Sequence, residues 1–161
     1  MRHIYSKTVT IFNYYESATT GDAYWYPHVL SCVDLNTDRG AIIKKYGPDT
    51  SDNAQLHVIY YMHATGPEGT RKLIVTKSGL VLWLPPKEWK RQTNDLLSET
   101  LTFSPEDDFF WEGEWDKGVV NDEDYRGGFY QYMNQSRDNV FKITSVGGPY
   151  ILIPHFEILA K

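Results

Sequence analysis

Polar and apolar residues alternate from Thr8 to Phe12, with Val9 and Ile11 on one face of a predicted strand. A polar turn, Ser17 to Asp22, separates it from a long predicted strand, Tyr24 to Leu35. Pro27 removes one ladder donor there, which predicts an edge position or a bulge. Asp38 to Tyr46 reads as a short helix: Asp38 caps it, Ala41, Ile42 and Tyr46 share a face, and Gly47-Pro48 stop it. Gln55 to Met62 returns to strand, with Leu56, Val58 and Tyr60 alternating against His57, Ile59 and Tyr61. Arg71–Thr76 and Leu80–Leu84 flank Lys77-Ser78-Gly79, a hairpin signal. Pro86 suits the first turn of a helix running through Trp89.

Farther along, Leu101–Phe103 and Phe109–Glu112 predict short strands, Gly113–Gly128 is turn-rich, and Phe129–Asn134 predicts a brief helix. Val140–Val146 and Pro149–Leu159 predict a final strand pair turning at Gly147-Gly148. Ile151 and Ile153 set one alternation and Phe156 and Ile158 the other, which a β-bulge at Pro154 reconciles. Seven or more short strands with two or three short helices predict a mainly β fold, closed as a small barrel or sandwich because open edges invite aggregation.

A length of 161 residues fits a single domain, 1–161. An aromatic content of 15% argues against a disordered chain. The lone Cys32 excludes an intramolecular disulfide and a Cys-rich zinc site. Its apolar neighbours Leu30 and Val33 predict a small buried side chain rather than a nucleophile. No apolar run predicts a transmembrane helix or signal peptide, so the expectation is a soluble protein made in the cytoplasm. The net charge of −5 argues against a sequence-reading nucleic-acid binder. The charge is uneven. From Asp95 to Asp124 eleven acids and one base give −10, while the rest of the chain carries +5. That segment is either a solvated loop region or a surface that repels a polyanion or meets a basic partner.

Candidate chemistry is sparse. His57 and His63 lie about 20 Å apart on a strand, too far to share a metal. Asp122-Glu123-Asp124 lacks the later ligands of a calcium loop, with Arg126 and Met133 in their places. Glu112 and Glu114 beside Trp111 and Trp115 are a carboxylate pair of glycosidase type, or simply a strand with acids on one face. There is no G-x-S-x-G, P-loop or G-x-G-x-x-G, so no cofactor is expected. Aromatic clusters remain at Tyr24–Tyr26, Tyr60-Tyr61, Phe109–Trp111 and Phe129–Tyr132. Their rings either pack under loops or face outward as interface anchors, for which Trp89, Trp111, Trp115, Tyr125, Tyr130 and Tyr132 are the candidates.

Thr8–Asn13, the run Trp25-Tyr26-Pro27-His28-Val29-Leu30 through Asp34, and the closing Phe141–Val146, His155-Phe156-Glu157-Ile158 and Ala160-Lys161 resemble the head-completion (stopper or head-closure) proteins of tailed bacteriophages. Phe156 stands where that group often carries Trp. Leu84–Trp89 and Phe109–Gly113 are similar to uncharacterised prophage proteins of Gram-positive bacteria. The stretch from about 86 to 139 departs from a minimal stopper and reads as an insertion. The resemblance implies a non-enzymatic ring subunit at the head–tail junction of the virion, assembled in the host cytoplasm. Its implied partners are a portal or adaptor ring and tail proteins, with genomic DNA passing unbound. Glu106, Asp107 and Asp108 are then candidates for an acidic lining of that channel. Another neck or tail-completion protein, or a carbohydrate- or ligand-binding β-module, are the alternatives.

Overall fold

The computed structural model describes residues 6–64, 69–93 and 95–161. Ten strands follow in chain order: β1 (Lys7–Glu16), β2 (Ala23–Asn36), β3 (Ala54–Ala64), β4 (Thr70–Thr76), β5 (Gly79–Trp83), β6 (Thr100–Leu101), β7 (Phe109–Trp111), β8 (Val120–Asn121), β9 (Val140–Tyr150) and β10 (His155–Ala160). Four short helices accompany them: α1 (Arg39–Tyr46), α2 (Pro86–Lys90), α3 (Asp95–Glu99) and α4 (Phe129–Ser136). Strands β1, β2, β4, β3, β10, β9 and β7 close an antiparallel seven-strand barrel, so the predicted small β-barrel is correct.

Strand β2 makes the closure. Its first half pairs with β1, and its end pairs with β3 through Asp34–Asn36 and Gln55–His57. Between the two, Ser31 and Cys32 stand opposite the single residue Thr8, because Val9 faces Leu30 and Lys7 faces Val33. Cys32 takes φ 60 in this bulge and is exposed. The bulge bends the strand from one side of the barrel to the other. It also turns the Cys32 thiol outward, against the sequence expectation of a buried side chain. Pro27 needs no bulge. It pairs in register with Phe12, and on the far side the bridges of β2 fall at Tyr24, Trp25, Leu30 and Asp34–Asn36, which leaves Pro27 on a local edge.

The interior alternation is as the pattern predicts: Val9, Ile11, Leu56, Val58, Tyr60, Phe156 and Ile158 all fill the barrel. Helix α1 also follows its sequence signals. Asp38 accepts from the Gly40 and Ala41 amides, and Gly47 ends the helix at φ 97. Only Ile42 of its predicted face is buried; Ala41 is exposed.

A second aromatic core lies outside the barrel wall. Phe12 stacks on Phe109 at 4.8 Å between ring centroids, and Phe129 meets Phe12 edge-on at 5.1 Å. Trp25, Trp115, Val120 and Met133 complete it. Strand β1 is therefore buried on both faces from Val9 to Asn13. The 86–139 stretch is not an appendage. It supplies β7, a wall strand between β1 and β9, and covers the outer face with α4.

His28 is buried in β2 and donates from Nε2 to the Thr100 carbonyl at 2.8 Å. Burial pushes its pKa down to about 4, against the opposing pull of that hydrogen bond. The folded ring stays neutral while an unfolded one takes up a proton below its ordinary value of 6.5, so the fold loses stability as pH falls from 6.5 toward 4. Relative to His28→Leu, the native chain is expected to lose about 1.4 kcal/mol per pH unit across that window, measured by urea unfolding.

Candidate docking surface

The C-terminal hairpin does not turn at Gly147-Gly148. Strand β9 runs on to Tyr150, the turn occupies residues 151–154, and β10 starts at His155. Pro149 and Pro154 bracket the turn, and the shift of alternation at Pro154 marks a hairpin tip rather than a bulge. The tip is apolar and open: Ile151 is 71%, Leu152 100% and Ile153 71% exposed. Tyr150 at its base and Tyr61 and Met62 on β3 are also exposed. Burying three such aliphatic side chains releases about 1.5–3 kcal/mol each. A contiguous apolar surface of this kind marks an interaction site.

The tip stands on a rigid base. Tyr60 donates from its hydroxyl to the Tyr150 carbonyl at 2.6 Å and from its amide to the Pro154 carbonyl at 3.2 Å. The His155 ring stacks on Tyr150, with centroids 4.9 Å apart. Gly147 admits this arrangement, since a Cβ there would lie 2.6 Å from the Tyr150 hydroxyl oxygen.

Below the tip a polar network ties α1 to the hairpin. Glu157 Oε1 accepts from Lys45 Nζ at 3.0 Å, from Gln55 Nε2 at 2.9 Å and from the Tyr46 hydroxyl. Burial raises the Glu157 pKa, but the hydrogen bonds from Tyr46 and Lys45 outweigh it and hold the carboxyl below its usual range. His57 sits between Asp34, 3.5 Å away, and Glu157, 3.8 Å away. Burial nevertheless holds its pKa below the ordinary value. A cavity of about 220 Å³ opens beside Tyr46, Gly147, Tyr150 and Glu157. With its acceptors occupied by donors from α1 and β3, Glu157 acts as a clamp on the hairpin base.

The residues proposed from the sequence fall elsewhere. Trp89 is fully buried, edge-on to Tyr15 and Tyr26, with Nε1 donating to the Thr100 carbonyl. Trp115 is buried in the outer core, with Nε1 on the Gly118 carbonyl. These two are core residues, not interface anchors, because the chain folds back over both. Trp111 is half-buried with Arg137 stacked 4.7 Å above its ring. Tyr125 and Tyr130 are half-buried against Phe129 and Phe109, and Tyr132 is exposed. Tyr125 and Tyr132 meet at 4.7 Å between ring centroids, while Trp89 and Trp115 are enclosed, so the six are not all exposed.

The acidic trio divides three ways. Glu106 is exposed, Asp107 pairs with Lys90, and Asp108 is completely buried. Asp108 accepts from the Tyr14 amide, the Ser104 amide and Asn13 Nδ2, each at 2.9 Å. It cannot line a channel; it pins the 102–108 loop to β1. Glu112 and Glu114 are taken by different lysines, Lys7 at 3.6 Å and Lys77 at 2.9 Å. Asp122 accepts from Trp25 Nε1 and the Phe129 amide, so it caps α4. Among the described residues no cluster of three or more His, Cys, Asp or Glu side chains could hold a metal, and no helix is long and apolar enough to cross a membrane.

Sequence reasoning missed the tip. Its signal was Pro149 and Pro154 bracketing three aliphatic residues, a pattern that also mimics strand alternation. No curated protein and no solved structure matches this chain. The DUF6751 family, described as a family of unknown function, matches residues 4–161, and with nearly its whole length covered the chain belongs to that family.

Proposed function

We propose that this protein is a non-enzymatic structural subunit of a tailed bacteriophage, acting at the head–tail junction to close the portal vertex and join head to tail. The observation that carries the reading is the Ile151–Ile153 tip, an apolar knob held on a rigid hairpin at the surface of a closed barrel. Free in water such a tip is a liability, and covered by a neighbouring protein it is an anchor. The sequence resemblance to head-completion proteins supports the phage setting. The partners are a portal or adaptor ring and tail proteins of the same phage, and the location is the virion. Genomic DNA passes without specific binding, and exposed acids of the 95–124 segment such as Glu106, Glu123 and Asp124 keep it from adhering.

A ligand-binding module built on tryptophan platforms has less support, since Trp115 is buried and Arg137 covers the Trp111 ring. Purified protein mixed with portal vertices of the same phage should co-sediment with them and add a ring of density in negative-stain images. Failure to bind portal, adaptor or tail ends, together with a tryptophan fluorescence change on adding glycans, would replace this reading by the ligand-binding one.

A further inference from the structure

We infer that Arg137 is a docking point for a carboxylate, carried by an aspartate or glutamate side chain of a partner protein. The site stands on the geometry around Arg137; that the partner is another neck protein rests on the assembly reading above. Arg137 follows α4 and is half-buried, with its guanidinium carbon 4.7 Å from the centre of the Trp111 ring and 5.7 Å from that of Trp115. Both rings are held in place. Trp115 donates from Nε1 to the Gly118 carbonyl and from its amide to the Thr10 hydroxyl. Trp111 lies against Gly113, where a Cβ would stand 2.4 Å from a ring carbon. The stack orients the guanidinium plane before any ligand arrives, which lowers the cost of binding one.

What the guanidinium lacks is an anion. None of its side-chain N–H donors meets an acceptor among the described residues, and it has no ion pair there. Arg39, by contrast, gives its Nη groups to the Thr50 and Asp52 carbonyls, and Lys7, Lys45, Lys77 and Lys90 each meet a carboxylate. The Arg137 Nε is enclosed, so that edge is desolvated and out of a ligand's reach. The two Nη groups are not enclosed, and they form the edge that a carboxylate meets with parallel hydrogen bonds. A cation partly withdrawn from water attracts a counter-charge more strongly than a fully solvated one. The flanking acids favour a single carboxylate over a nucleic-acid backbone. Asp116 follows Trp115, Asp138 follows Arg137, and both are exposed. A polyanion brings further charges against them, whereas one side chain meets the fork alone. Arginine is also among the residues that most often anchor protein interfaces.

The test is NMR of the full chain with isotope-labelled arginine and tryptophan. The enclosed Nε–H is shielded from exchange with water, so its resonance reports on the site. A glutamate-rich peptide is titrated in, against a glutamine-rich peptide of equal length, acetate and a single-stranded oligonucleotide. The Arg137 Nε–H and the Trp111 indole should shift saturably with the glutamate peptide and not with the glutamine peptide. The affinity should fall roughly tenfold or more in Arg137→Lys, which keeps the charge and loses the fork. No shift, an equal shift with the glutamine peptide, or unchanged affinity in Arg137→Lys overturns the inference. Tighter binding of the oligonucleotide, or of acetate, overturns the protein side chain as ligand. Should Arg137→Lys fail to fold, the shifts of the native chain decide. Co-sedimentation with portal, adaptor and tail preparations separates this inference from the assembly reading. Peptide binding without any co-sedimentation keeps the carboxylate site and removes the head–tail reading. Co-sedimentation that Arg137→Lys leaves unchanged keeps the head–tail reading and overturns Arg137 as its docking point.

Discussion

Asp108→Ala is expected to destabilise the fold by about 4 kcal/mol at pH 5, a large part of the roughly 5–15 kcal/mol that holds a domain together. The carboxyl is fully enclosed and collects three donors, from Tyr14, Ser104 and Asn13. Removing it strands two backbone amides and one side-chain amide at about 1–3 kcal/mol each, with the low end applying if water enters the space. The loop loses its pin to β1 and the neighbouring Thr102–Asn13 contacts lose support. The effect should depend on pH in a defined direction. Burial pushes the Asp108 pKa up to about 7, with the three hydrogen bonds opposing. Its protonated form is the one the fold favours, so its contribution is complete below the unfolded value of 3.8 and is lost as pH rises through 7. The gap between native and variant should narrow by about 1.4 kcal/mol per unit from pH 5 to pH 7. Urea unfolding at both pH values measures it. A gap that widened with pH would mean that the carboxylate, not the acid, is what the loop requires.

Leu152→Asp should do the reverse, leaving the fold intact and removing the function. Leu152 is fully exposed, so its replacement should change stability by no more than about 0.5 kcal/mol. If Ile151, Leu152 and Ile153 enter an apolar pocket, a charge at the centre costs about 2 kcal/mol or more per contact, roughly a 30-fold weakening of each. A phage lacking the gene and supplied with Leu152→Asp in trans should then yield a titre roughly tenfold or more below that with the native gene. Unchanged titre with normally folded protein would remove the tip from the account.

Much of the wall was legible from local pattern alone. Val9 and Ile11, then Leu56, Val58 and Tyr60, repeat at the strand period and do line the barrel. Asp38, Gly47 and Pro86 carry capping chemistry that acts within a few residues, and each does so here. The features that decide function and stability depend on partners far along the chain. Asp108 looks like its acidic neighbours until Asn13 and Tyr14, 95 and 94 residues away, close over it. The bulge at Ser31–Cys32 exists only in the register against β1, so the outward turn of Cys32 has no local mark. Trp89 and Trp115 are buried because other segments fold back over them. Ile151–Ile153 misled for the opposite reason. Aliphatic alternation normally reports a core-facing strand, and here it lies on an exposed turn.

If this barrel completes a phage head through its exposed tip, losing the gene should leave heads and tails unjoined. Electron microscopy of lysates from a phage lacking the gene tests it most directly. Finished tails lying free beside tailless heads that have lost their DNA are the result this account predicts. Complete, DNA-filled virions in normal numbers would contradict it and return the protein to the ligand-binding reading.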